Sequence, residues 1–84
     1  MSAQTSGGEL PTALVGIVER TSKVANVIPV RGTRLEGDLG LDSLSMIDIA
    51  VAAEEAFGIR IPDDDLERFV TVGDVADYVL RKKS

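Results

Sequence analysis

Eighty-four residues at 44% hydrophobic content and a net charge of −5 make one small domain, and a chain this short buries only about 60% of its unfolded surface. With no Cys and no His, the chain has no disulfide staple and no thiolate metal site, and it lacks the commonest general base and transition-metal ligand. The charge is uneven: residues 36–67 carry −9, ten acids against Arg60, while each flank carries +2. That centre repels nucleic-acid phosphate and attracts basic protein patches.

No run approaches the roughly 18 apolar residues of a membrane span. The N-terminus lacks the basic-then-apolar layout of a signal peptide. The expectation is a soluble cytoplasmic monomer without stable membrane insertion. Residues 1–8 are small and polar and read as a disordered tail, with the folded domain over residues 9–84. A first helix is predicted from Glu9 or Leu10 to Lys23, with Pro11 tolerated in its first turn and Leu10, Leu14, Ile17, Val18 and Val24 on one face. Residues 24–34 mix Val24, Val27, Ile28 and Val30 with Pro29 and Gly32. They read as a long loop laid over the helices, anchored by those apolar residues.

Asp38-Leu39-Gly40-Leu41-Asp42-Ser43-Leu44 then delivers an N-cap aspartate and a serine to the start of a second helix, Ser43 to Phe57. Ser43 is expected as an exposed hydroxyl at the positive end of that helix, where a phosphate diester is well placed. The wheel carries two apolar groups. Met46, Ile49, Ala50, Ala53 and Phe57 face the core. Leu44, Ile47 and Val51 form a second group flanked by Asp48, Glu54 and Glu55, the composition of a partner-docking face.

Gly58 closes the helix. Ile59 and Ile61 point inward around Arg60, and Pro62-Asp63-Asp64-Asp65 opens a short third helix to about Arg68. Three consecutive aspartates suit capping better than metal binding, since sequence neighbours do not converge on one ion; no metal site is expected. Thr71-Val72-Gly73-Asp74 has capping-box spacing and begins a fourth helix with Val72, Val75, Ala76 and Val79 as its core stripe. The predicted fold is all-α, a small four-helix bundle of three longer helices and one short one.

Two rival readings of Ser43 fail on chemistry. A nucleophilic serine needs an activating base, and the chain has no His; Ser45 also stands where a Gly-x-Ser-x-Gly motif requires Gly. An EF-hand loop begun at Asp38 would need Gly where Ser43 stands.

From about Leu35 to Leu80 the chain resembles the acyl carrier proteins, through Asp38-Leu39-Gly40-Leu41-Asp42-Ser43-Leu44, Ile61-Pro62-Asp63 and Thr71-Val72-Gly73-Asp74 in order. The resemblance implies a non-enzymatic carrier. A 4′-phosphopantetheine arm would sit on Ser43, between Asp42 and Leu44, and hold acyl thioesters of fatty acid or polyketide synthesis. It also implies an acyl-chain pocket around Met46, Ile49, Ala50, Ala53, Phe57 and Ile61. The implied partners are a phosphopantetheinyl transferase and the ketosynthase, acyltransferase and other acyl-processing enzymes, docking on the second helix. A peptidyl or aryl carrier usually reads Gly-Gly-x-Ser where this chain has Gly40-Leu41-Asp42-Ser43. That class and an unmodified interaction module on the same fold stand as the alternatives.

Overall fold

The computed structural model describes residues 10–83; the expected tail over residues 1–8 lies outside them. Four helices follow one another, α1 (Thr12–Thr21), α2 (Ser43–Phe57), α3 (Asp63–Leu66) and α4 (Val72–Lys83). An antiparallel bridge between Arg34 and Thr71 is the one β-type pairing among the described residues. The all-α expectation holds.

Helix α1 is shorter than its apolar pattern suggested. The Thr21 hydroxyl donates back to the Ile17 carbonyl at 2.8 Å, and Ser22 leaves helical geometry at ψ 139°. Ser and Thr offer the backbone such local alternatives to a further helical turn. Leu14, Ile17 and Val18 are buried, whereas Val24 falls past the helix end and is not part of the core stripe.

The loop between α1 and α2 also differs from expectation. Val24, Ile28 and Val30 are exposed, Ile28 at 81%. Its anchors are the buried Pro29, Thr33, Leu35, Leu39 and Leu41, with Val27 half-buried. Hydrogen bonding explains the choice. Amides at a helix start have no intrahelical partner. Here the Val72 amide donates to the Thr33 carbonyl and the Gly73 amide to the Arg31 carbonyl, both at 2.9 Å, while the Leu35 amide donates to the Val70 carbonyl. The loop therefore caps α4 from a distance. Arg31 adds an ion pair to Asp77 of α4 at 2.7 Å. Within α4's own sequence, the Asp74 amide donates to the Thr71 hydroxyl and the Asp74 carboxylate accepts from the Thr71 and Val70 amides, which is the expected capping box.

The core lies where these elements meet. Val72, Val75, Ala76 and Val79 of α4 are all fully buried, in one cluster with Leu14 and Val18 of α1 and Ile49 and Ala53 of α2. Helix α3 ends at Leu66, two residues short of Arg68, and buries that leucine.

Candidate functional site

The Asp38-Leu39-Gly40 approach to α2 is a set of local constraints. The Asp38 carboxylate accepts from the Arg34 amide at 2.8 Å, closing the turn, and Leu39 is fully buried. Gly40 adopts φ +69°, a left-handed conformation that L side chains resist, with the Lys23 Cβ 3.3 Å from where its own Cβ would stand. Asp42 then caps α2 in extended geometry, its carboxylate accepting from the Ser45 amide at 2.9 Å. That amide and the Ser45 hydroxyl hold the Asp42 carboxyl below the ordinary aspartate range, helped by the field of Lys23. Ser45 is thereby buried with its amide satisfied.

Ser43 is the first residue of α2 and exposed, and among the described residues no hydrogen bond engages its hydroxyl. Two residues earlier the chain is pinned by buried Leu41 and two residues later by buried Ser45. A fixed, solvent-facing hydroxyl at the N-terminus of a fifteen-residue helix results. The helix dipole and its free amides favour a phosphate there.

Along α2, Leu44 is 73% exposed, and Ile47 and Val51 are each 47% exposed, so the second apolar group lies on the surface. Asp48 and Glu55 are exposed beside it. Glu55 lines an α1–α2 groove with Arg20. Glu54 differs from the other two acids. It is half-buried, and its carboxylate accepts from the Ile61 amide at 2.7 Å, tying α2 to the segment that enters α3.

A cleft of about 320 Å³ opens beside Ser43, lined by Met46 and Ile47 of α2, by Leu66 and Phe69, and by Glu36, Asp63 and Glu67. Of the six residues expected around an acyl chain, only Met46 lines it. Ile49, Ala50, Ala53 and Ile61 are closed inside the core, and Phe57 is half-buried against it. Leu66 and Phe69 are the apolar lining residues that sequence reasoning missed. Their i, i+3 spacing was available, but α3 is only four residues long and shows no period to read. Among the described residues no three acidic side chains are placed to share a metal ion; in the Asp63–Asp65 run, the Asp65 carboxylate is taken by the Tyr78 hydroxyl.

The family described as "Phosphopantetheine attachment site" matches residues 12–79. The acyl carrier protein of Acidothermus cellulolyticus is 47% identical over 70 residues, covering 79% of this chain and 82% of that one. The chain belongs to the acyl carrier protein family. The acyl carrier protein of Thermobifida fusca is 44% identical over 79% of this chain and 87% of its own. The meromycolate extension acyl carrier protein of Mycobacterium leprae is 42% identical over 79% of this chain, which spans 60% of that longer relative. Among solved structures, holo acyl carrier protein from Geobacter metallireducens aligns at a TM-score of 0.70 with 28% identity, covering 83% of this chain and 80% of that one. The acetyl actinorhodin acyl carrier protein of Streptomyces coelicolor aligns at 0.70 with 25% identity, covering 88% and 92%.

Phosphopantetheine is the family's prosthetic group, and the features around Ser43 fit it: an exposed hydroxyl, a helix N-terminus for the phosphodiester and an adjacent apolar cleft. No helix among the described residues is long and apolar enough to cross a membrane.

Proposed function

We propose that Ser43 bears the phosphopantetheine arm and that the chain carries acyl groups of fatty acid or polyketide synthesis between enzymes without catalysing their chemistry. The exposed Ser43 hydroxyl at the first position of a capped helix carries this reading. When bound, the arm supplies a thiol on which acyl groups ride as thioesters; the chain encodes no thiol of its own.

The chain's own residues have three tasks. Asp42, held anionic by Ser45, fixes the helix start so that Ser43 presents its hydroxyl outward. With no His in the sequence, the base that removes the hydroxyl proton comes from the modifying transferase. Leu44, Ile47 and Val51 offer an apolar centre with Asp48 and Glu55 at its edge, which suits brief docking of a basic partner surface: a phosphopantetheinyl transferase first, then a ketosynthase, an acyltransferase and other acyl-processing enzymes. The cleft by Met46, Leu66 and Phe69 shelters the guest chain from water, each buried methylene contributing about 0.8 kcal/mol. A cytoplasmic setting, where coenzyme A and the synthases meet, completes the proposal.

The deciding experiment is intact-mass measurement after incubation with coenzyme A, a divalent cation and a broad-specificity transferase. The expected result is a gain of one phosphopantetheine unit by the natural sequence and none by Ser43→Ala. A folded natural protein that gains nothing, or a Ser43→Ala variant that still gains the unit, overturns the assignment.

A further inference from the structure

The short helix beside the Ser43 cleft is bonded to α4 through the side chain of Tyr78. Helix α3 has four residues, too few to be stable by itself. The Tyr78 hydroxyl of α4 donates to the Asp65 carboxylate in the middle of α3 at 2.7 Å, with the Arg60 carbonyl oxygen 3.2 Å away. The same ring meets Phe69 edge-on, centroids 5.3 Å apart. Tyr78 is 5% exposed and is covered on its solvent side by Arg81 and Lys82, at 5.7 and 5.4 Å from the ring centroid. Burial and the neighbouring Asp65 carboxylate both raise its pKa, so the hydroxyl remains a donor at neutral pH.

Phe69 and Leu66 form the wall of the cleft that faces Met46 and Ile47. Tyr78 does not touch that cleft; it holds the wall. We infer that Tyr78 is a positioning residue that sets how long an acyl chain the cleft beside Ser43 can shelter, by tethering α3 and Phe69 to α4. This rests on the carrier reading above. The segment is held at its entrance by Ile61 to Glu54 of α2 and just past its end by Val70, whose carbonyl accepts from the Leu35 amide and whose amide donates to Asp74. Between these, beside the buried Leu66, the side-chain bond from α4 is Tyr78 to Asp65. With the Asp65–Tyr78 bond removed, the stretch from Pro62 to Phe69 loosens between its two fixed ends, and the cleft deepens. A chain that outgrows the tethered cleft leaves its end in water, and the tether then limits cargo length.

Tyr78→Phe keeps the ring, its contact with Phe69 and its cationic cover, and removes only the hydroxyl. Asp65→Ala removes the acceptor, while Asp65→Asn keeps a carbonyl that accepts from the tyrosine. Hydrogen exchange on the unmodified protein reads the tether without any arm. Tyr78→Phe and Asp65→Ala are expected to speed exchange of the amides of residues 64–69 about tenfold while α1 and α2 are unchanged, and Asp65→Asn to stay near the natural protein. Unchanged exchange, or an equal rise in every helix, overturns the tether. The cargo role is read by loading a series of saturated acyl chains on Ser43 and measuring thioester hydrolysis against chain length. Protection in the natural protein is expected to stop growing at a given length, and at a longer one in Tyr78→Phe. Identical profiles overturn the cargo role alone. Failure of Ser43 to load at all removes the carrier reading and the cargo role with it, while the exchange result still stands for the tether.

Discussion

Gly73 and Arg31 meet backbone to backbone. The Gly73 amide donates to the Arg31 carbonyl at 2.9 Å, and a Cβ built on Gly73 would stand 2.9 Å from that same oxygen and 3.2 Å from the Arg31 Cβ. The obstacle is main chain and cannot rotate away. Gly73→Ala will therefore destabilise the fold by about 1–3 kcal/mol through overpacking, although alanine is the better helix former. Denaturant unfolding measures it; an unchanged or higher midpoint would show that the loop yields freely.

The loop's apolar residues divide sharply in consequence. Leu39→Ala empties a fully buried site and will cost about 2–5 kcal/mol, whereas Ile28→Ala, at a side chain 81% exposed, will stay within about 0.5 kcal/mol. The same unfolding curves compare the two variants. Equal losses would mean that Ile28 is packed.

Asp42 links stability to acid. Its folded-state pKa lies below the unfolded value because the Ser45 amide and hydroxyl stabilise the carboxylate. Its contribution is thus complete above the ordinary aspartate value of about 3.9 and is lost as pH falls through the depressed folded value. The natural protein will be more stable than Asp42→Ala at neutral pH, and the gap between their thermal midpoints will close as the solution is acidified below that value. A gap constant from neutral to strongly acidic pH would contradict the cap.

The acids of α2 will separate by role. Asp48→Lys and Glu55→Lys, at exposed positions, will leave unfolding nearly unchanged but slow association with a phosphopantetheinyl transferase about tenfold at low salt, an effect that added salt removes. Glu54→Ala will cost about 1–3 kcal/mol, because the Ile61 amide loses its acceptor. Stopped-flow association and denaturant unfolding on the three variants distinguish the roles; association rates untouched by both lysines would remove the proposed docking face.

How much of this was legible depends on which residues carried periodicity. The α4 stripe of Val72, Val75, Ala76 and Val79, the Asp42 and Gly58 caps of α2 and its two apolar faces all follow from helical spacing or from one residue's local chemistry, and the structure places each as read. Gly58 ends α2 at φ 67°. Residues 24–34 have no period. Neighbours Ile28 and Pro29 take opposite fates, one outward and one buried, in a loop whose path just after them is fixed by backbone bonds from Arg31, Thr33 and Leu35 to residues 70–73. The cleft was hidden for a related reason: Leu66 and Phe69 reach it from a segment whose placement depends on Tyr78 and Glu54, partners that no local window contains.

The carbonyls of Arg31 and Thr33, which serve the opening amides of α4, belong to a stretch synthesised well before that helix. A fragment cut after α2 would retain every residue of α4 and yet leave the Val72 and Gly73 amides to water. The last helix therefore depends on the earlier chain for its opening hydrogen bonds. A separated C-terminal part is expected to form α4 less completely alone than when mixed with the part that carries Arg31 and Thr33, a difference that circular dichroism of the parts and of the mixture measures.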